Sequence, residues 1–282
     1  MKSLTCDPSP CNGKLSNQCD LCLIKSDFKN IVSGIYRNKK LIKSKLIQTL
    51  QKLEIQMICV SEWQKEQLIL NGFPFENISV IRQVFIPKID DKKYSLLNKE
   101  NNHVLTIGYL GRLSKEKGVD LLFQVLNHYK NDANIHFRIA IPKGVNPQEL
   151  NVLKALATDN NNIVIDYSID ESTKSSYFSM IDFLFIPSYF IETGPIVLLE
   201  GVYFQKTVLA PNIGGPLEFS MQYPEYVKCY EWNNIKSVIS NIESLRINEN
   251  INIRKKYNFE TEAINFIEPH VKVYEKLINR LL

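Results

Sequence analysis

The sequence predicts an α/β protein built on a parallel, doubly wound sheet, and three observations predict it. From residue 104 onward, near-continuous apolar runs recur at Val104 to Leu110, Ile135 to Ile141, Ile163 to Ile165, Phe183 to Ile186 and Thr207 to Ala210. Strands that read this way are buried on both faces rather than half solvated. Helical patterns beginning near Gly118, Pro147, Glu171 and Pro195 separate the runs, one to each gap, and a crossover helix between strands makes them parallel. A shorter strand, helix, strand unit precedes them, set off by the polar stretch PKIDDKKYSLLNKENNH between Pro87 and His103, whose composition is that of an interdomain linker.

In chain order the first element is a segment with four cysteines, Cys6, Cys11, Cys19 and Cys22, spaced C-x4-C-x7-C-x2-C. Four thiolates at such spacing can hold a tetrahedral zinc, but only one C-x2-C pair is present, so free or redox-paired thiols stay open beside a structural zinc site. Cys59 and Cys229 read as small buried hydrophobes. From Arg37 to Glu54, Leu41, Leu46, Leu50 and Leu53 recur between lysines and predict a basic amphipathic helix, either solvated or in peripheral contact with a membrane surface. QMICVSEW then predicts a strand ending at Ser61. A helix follows, running through Leu70 and stopped by Asn71-Gly72, and then a strand from Asn77 to Phe85.

The 282 residues are 44% hydrophobic and 23% charged, with a net charge of +4, which is ordinary for a folded chain. The charge is too modest and too dispersed for a nucleic-acid-binding face. No run approaches the ~18 apolar residues of a spanning helix, and MKSLTCDPSPCNGK has no apolar signal core, so the cytosol, including the inner face of the membrane, is the expected compartment.

Doubly wound sheets bind ligands at the carboxyl ends of their strands, so the loops there carry the functional signal. The first reads GYLGRLSKEKG, residues 108–118, where Gly108 and Gly111 allow close backbone approach and Arg112 and Lys117 place two cations at a strand end. A diphosphate suits that pair, although neither G-x4-G-K-[ST] nor G-x-G-x-x-G occurs. The second reads PSYFIETGP, residues 187–195, with Pro195 expected as the first helical residue. Donors of Ile196 and Val197 then face forward with the positive end of the helix dipole, in front of Gly194. Glu192 stands before that helix and Glu200 in its second turn, so the two acids can bracket one elongated ligand.

GYLGRLSKEKGVDLL, DFLFIPSYFIETGPIVLLEG and VLAPNIGGPLEF together resemble the donor-binding domain of family 4 (group 1) retaining glycosyltransferases, which have the two-Rossmann GT-B fold. The resemblance runs from about Asn77 to Phe219 and more loosely beyond. It implies one complete doubly wound Rossmann-like C-terminal domain and a partial N-terminal one: residues 1–98 on the acceptor side, 99–260 binding the donor, and 261–282 a helix, interrupted at Pro269, that packs back on the N-terminal part. It also implies a UDP-sugar or GDP-sugar donor, no obligatory metal, and transfer with retention. Arg112 and Lys117 would hold the diphosphate, Gly111, Gly194, Ile196 and Val197 would line it, Glu192 would hold sugar hydroxyls and Glu200 the ribose. Gly214, Gly215 and Glu218 would line the same cleft.

The chain departs from the family pattern at Pro195, often Gly, and at Gly201, usually Ala. It lacks the Gly-rich loop and active-site His of a full N-terminal domain, since His103, His128, His136 and His270 lie in no matching context. Two classes of function follow. The first is a hexosyl-type transferase with a saccharide or lipid-linked acceptor, in surface polysaccharide or glycolipid synthesis. The second is a non-catalytic nucleotide-sugar-binding or accessory subunit, with a partner subunit supplying the rest of the N-terminal half.

Overall fold

The computed structural model describes residues 45–53, 55–83, 104–142, 147–170 and 172–247, together with residues 268, 271–272, 274–275 and 278–279. The four N-terminal cysteines and the interdomain linker lie outside the described residues. The chain divides into two compact units, Met1–Arg82 with Glu268–Leu282, and Gln83–Ile267.

In the first unit a helix over residues 45–52 (α1) precedes strand β1 (Met57–Cys59), helix α2 (Glu62–Leu70) and strand β2 (Ile78–Val80). Ser61 caps α2, its Oγ accepting from the Gln64 amide while Gln64 Oε1 accepts from the Val60 amide, so two N-terminal donors are satisfied reciprocally. β1 and β2 pair in parallel with Met57 opposite Ile78, as a crossover through a helix requires. Cys59, Phe73 and Ile78 form the buried centre, with Ile47, Leu50 and Leu68 against it. β2 is shorter than the sequence suggested: Ile81 to Gln83 are not strand, although the Ile81 amide still reaches the Cys59 carbonyl.

The second unit carries six parallel strands in the order β5-β4-β3-β6-β7-β8. They are β3 (Leu105–Leu110), β4 (Ile135–Ile141), β5 (Ile163–Tyr167), β6 (Phe183–Phe185), β7 (Thr207–Pro211) and β8 (Val227–Tyr230). The connecting helices are α3 (Val119–His128), α4 (Pro147–Asp159), α5 (Lys174–Ser179), α6 (Ile196–Tyr203) and α7 (Gly215–Gln222), and α8 (Ile235–Ile247) follows β8. β8, α7 and α8 extend the pattern beyond the runs singled out in the sequence. Strand VKCY is too short and too mixed to announce itself.

Alternation along each strand sorts the core into two layers. Ile107, Tyr109, Phe137, Ile139, Phe183, Phe185 and Leu209 pack on one face with Leu122 and Val125 of α3, Leu153 of α4 and Val238 and Ile242 of α8. Ala140, Leu184, Ile186, Val208 and Ala210 pack on the other with Tyr177 and Phe178 of α5, Leu198 and Val202 of α6 and Phe219 of α7. The chain runs outward from β3 to β5, then crosses back to start again at β6. The order therefore reverses between β3 and β6, the place where open sheets of this kind take their ligands, outside the carboxyl ends of the strands.

Candidate functional site

The loops at the β3/β6 reversal are the two that the sequence singled out. After β3, Leu113 turns into the core, 2% exposed, so its neighbour Arg112 points outward. Tyr109 fixes the backbone here by donating its phenol to the Arg112 carbonyl at 2.6 Å. Burial keeps that phenol protonated far above its usual range, while Arg112 pulls it down and Glu192 pushes it up, so both charges act at the same spot. Among the described residues the Arg112 guanidinium has no hydrogen bond or ion pair. A short 3-10 turn, Lys115–Lys117, then leads through Gly118 into α3.

Glycines decide how closely the second loop approaches. Gly118 has φ of +70°, and a Cβ there would stand 1.8 Å from the Pro187 carbonyl oxygen. On the other side, Gly214 with φ of +66° would place a Cβ 2.6 Å from the Glu192 carbonyl oxygen, and Gly215 would place one 2.4 Å from that of Thr193. The Gly215 amide donates to the Glu192 carbonyl at 2.7 Å. The stretch from Pro187 to Gly194 is thus held between two glycine-bearing turns. It is also stitched to the first loop through one atom: the Glu116 carbonyl accepts from the amides of Tyr189 (3.1 Å) and Phe190 (2.9 Å), with Ser188 Oγ 3.0 Å away.

That clamp delivers Glu192 to Lys117. Lys117 Nζ lies 2.5 Å from Glu192 Oε1, and Ser188 Oγ lies 3.0 Å from the same oxygen, sharing its proton between Glu192 and the Glu116 carbonyl. Glu192 is mostly covered, with 13% of its side chain exposed against 35% for Lys117. The sequence placed Lys117 on a phosphate and Glu192 on hydroxyls; in the structure they are each other's partner.

Helix α6 begins one residue later than expected. Pro195 has extended backbone (φ −69°, ψ 118°) and is the N-cap, so Ile196 is the first helical residue. The shift leaves the anion-binding end in place. The Leu198 amide closes onto the Pro195 carbonyl, whereas those of Ile196 and Val197 have no backbone acceptor among the described residues, as the first turn of a helix dictates. A phosphate in front of Gly194 would meet those donors and the positive end of the dipole.

Glu200 lies in the second turn of α6, only 3% exposed, and it has a partner that sequence reasoning missed. Lys174, the first residue of α5, places its Nζ 2.5 Å from Glu200 Oε1. α5 and α6 share a face of the sheet, and Phe178 of α5 stacks on Phe204 just after α6 (4.6 Å, 18°), so the pair sits between elements packed against one another. No local signal marks Lys174, a single lysine in STKSSYF whose partner is 26 residues away.

One glycine reading needs correction. Gly108 does not serve ligand approach: a Cβ there would lie 2.5 Å from Ile181 Cδ1 and 2.8 Å from the Tyr177 hydroxyl, so it lets α5 pack onto β3. Gly111 stays at the strand end, but its amide is already given to the Ala140 carbonyl at 3.1 Å, so it can offer a ligand proximity and not a donor. Gly201 is explained by its neighbours: a Cβ would stand 2.7 Å from Val208 Cγ2, so the helix lies too close to the sheet for alanine. Among the described residues no cluster of His, Cys, Asp and Glu fits a metal ion, and no helix is long and apolar enough to cross a membrane.

Residues 90–258, more than half of the chain, match the family described as Glycosyl transferases group 1. Of the curated proteins, an uncharacterized 42.6 kDa protein in a cps region of Klebsiella pneumoniae is 22% identical over 82% of this chain and 61% of its own length. Of the solved structures, sucrose-phosphate synthase from Thermosynechococcus elongatus is 17% identical, covers 79% of this chain and 58% of that one, and superposes with a TM-score of 0.61. HepE of Anabaena, solved in complex with UDP and glucose, is 16% identical over 83% and 67%, also with a TM-score of 0.61. The chain thus spans about three-fifths of the length of these first two relatives. At such identities the structural likeness is one of fold, the GT-B type.

Proposed function

Since the chain belongs to the group 1 glycosyl transferases, we propose that it moves a sugar from a nucleotide diphosphate sugar to an acceptor hydroxyl, with retention at the reacting carbon. The observation that carries the proposal is the Lys117–Glu192 contact, which brings the loops after β3 and β6 together at the reversal of strand order, in front of unused amides of α6. A cation, a carboxylate and a helix N-terminus in one crevice are what a diphosphate joined to a polyhydroxy ring requires.

In this reading the diphosphate docks on the amides of Ile196 and Val197, and Arg112 and Lys117 supply charge from the β3 side. As the bond between the sugar carbon and the diphosphate oxygen lengthens, negative charge grows on the leaving group. Fixed donors aimed at developing charge are a large term in catalysis. No metal is invoked, because two cations and a helix dipole provide the positive charge. Glu192, drawn from Lys117 as the phosphates claim that ammonium, accepts from sugar hydroxyls and sets the ring so that the acceptor oxygen arrives on the face the diphosphate leaves. Glu200 accepts from the ribose. A UDP-sugar or a GDP-sugar fits these contacts equally. HepE was solved with UDP and glucose, and the Klebsiella relative is named for a cps region. The first supports a nucleotide-sugar donor and the second a use in surface polysaccharide or glycolipid synthesis; the same reading places the reaction at the cytoplasmic side, with a saccharide or lipid-linked acceptor.

Calorimetric titration with UDP, GDP and their common sugars tests the reading. Micromolar binding that Arg112→Ala and Glu200→Ala each weaken by ~1 kcal/mol or more, the scale of a lost charged hydrogen bond, is the expected result. A folded chain that binds none of them would overturn it.

A further inference from the structure

Glu200 is a carboxylate almost without solvent, and in a protein interior an unpaired charge of that kind is costly enough to be neutralised or turned away. The structure meets that cost with Lys174, whose own side chain is 17% exposed against 5% for Glu200. What distinguishes the pair from a casual ion pair is how firmly its two ends are held. On the lysine side, Asp170 organises the entry to α5, its Oδ1 accepting from the amides of Ser172 (3.0 Å) and Thr173 (3.2 Å). The helix is then pinned from beneath, where the Tyr177 hydroxyl lies 2.9 Å from the Tyr109 carbonyl and 3.0 Å from that of Arg138. On the glutamate side, α6 is fixed by the close packing of Gly201 on Val208 and by Leu198, which is fully buried. The Phe178–Phe204 stack joins the two helices.

We propose that Lys174 is a positioning residue of the donor site, holding the Glu200 carboxylate in the orientation that accepts from the two ribose hydroxyls of the bound nucleotide. This rests on the donor-site reading above and adds a residue that reading does not contain. A carboxylate has about four acceptor positions, more than one ammonium fills, so the pair is compatible with a diol at the same group. An ammonium on Oε1 also restricts rotation of the carboxylate, and a preoriented acceptor loses less on binding. Lys174 acts through Glu200 and touches no reacting atom.

The distinguishing readout is the preference for a ribose diol over its absence. The full chain is titrated with UDP and GDP and with their 2′,3′-dideoxy analogues, alongside Lys174→Met, Lys174→Arg and Glu200→Gln. Lys174→Met should lose about tenfold in affinity for the ribonucleotide, the effect of one charged hydrogen bond, and almost none for the dideoxy analogue. Lys174→Arg, which can still pair with the carboxylate, should recover most of the preference. An equal loss for both ligands, or no loss, would overturn the proposal. If Glu200→Gln itself leaves the diol preference at the wild-type value, the donor-site reading of Glu200 fails, and the lysine proposal falls with it. If Glu200→Gln abolishes the preference while Lys174→Met does not, only the lysine proposal fails. Should Lys174→Met not fold, the double variant Lys174→Met/Glu200→Gln, which removes both charges of the pair together, replaces it. Its diol preference should equal that of Glu200→Gln alone, and a further loss would count against coupling through Glu200.

Discussion

Replacing Gly118 by alanine should displace the loop that carries Glu192, and the size of the effect follows from two separate costs. Gly118 has φ of +70°, a conformation that costs an L-residue about 1–2 kcal/mol. The added Cβ would also begin 1.8 Å from the Pro187 carbonyl oxygen, where real Cβ contacts start near 3.0 Å, so something must move by 3.0 − 1.8 = 1.2 Å. The obstacle is backbone and cannot rotate away. Overpacking of this kind costs about 1–3 kcal/mol, which brings the total to about 2–5 kcal/mol. At roughly 2–4 °C per kcal/mol for a domain of this size, thermal melting should fall by at least ~4 °C. Nucleotide binding should suffer too, because Pro187 leads directly into Ser188 and Glu192. Gly118→Asn separates the terms, since asparagine tolerates the left-handed region but still carries a Cβ. It should recover part of the melting loss and none of the binding loss. A Gly118→Ala protein that melts and binds UDP or GDP like wild type would refute the reasoning on both counts.

Arg112→Ala should weaken nucleoside diphosphate binding about tenfold while moving the melting temperature by no more than ~1 °C, because the exposed guanidinium has no hydrogen bond or ion pair among the described residues. Tyr177→Phe should act on stability, lowering it by about 1–3 kcal/mol in denaturant titration as the Tyr109 and Arg138 carbonyls lose their shared donor. In Cys59 and Cys229 burial pushes the thiol above its ordinary pKa, so peptide-resolved alkylation at pH 8 should label both far more slowly in the native chain than in denaturant. Equal labelling rates would show that these thiols are not sheltered.

Features encoded by local pattern were legible in the sequence. Apolar runs such as LTIGYL and IHFRIAI became β3 and β4, and the reversal of strand order fell where the loops carrying Arg112, Lys117 and Glu192 had been expected to matter. Features that depend on packing were not. Gly108 and Gly118 are the same letter at the two ends of one motif, yet one accommodates a helix beneath the sheet and the other a neighbouring carbonyl. Only the surroundings separate them. The two lysine–glutamate pairs were hidden for a related reason. Lys117 and Glu192 are 75 residues apart, and which charged side chains meet is set by the fold that delivers them. The start of α6 was misplaced by one residue because proline suits both the cap and the first helical position, and the extended ψ that chose the cap is not written in its neighbours.

The Lys117–Glu192 ion pair has a thermodynamic consequence for a ligand with two ends. In the proposed reading, without ligand the ammonium and the carboxylate satisfy one another, so the sugar meets no waiting Glu192 and the diphosphate meets Arg112 and the α6 amides but not Lys117. A diphosphate that draws Lys117 away uncovers the carboxylate for the sugar, and a sugar that engages Glu192 releases the lysine for the phosphates. Each half thereby lowers the cost of seating the other, and by reciprocity the coupling is the same in both directions. Free nucleotide and free monosaccharide should each bind poorly relative to the joined molecule, by more than the tether alone explains. In the proposed reaction, once the bond between them is cut and one product leaves, the other loses that help and its hold on the site weakens.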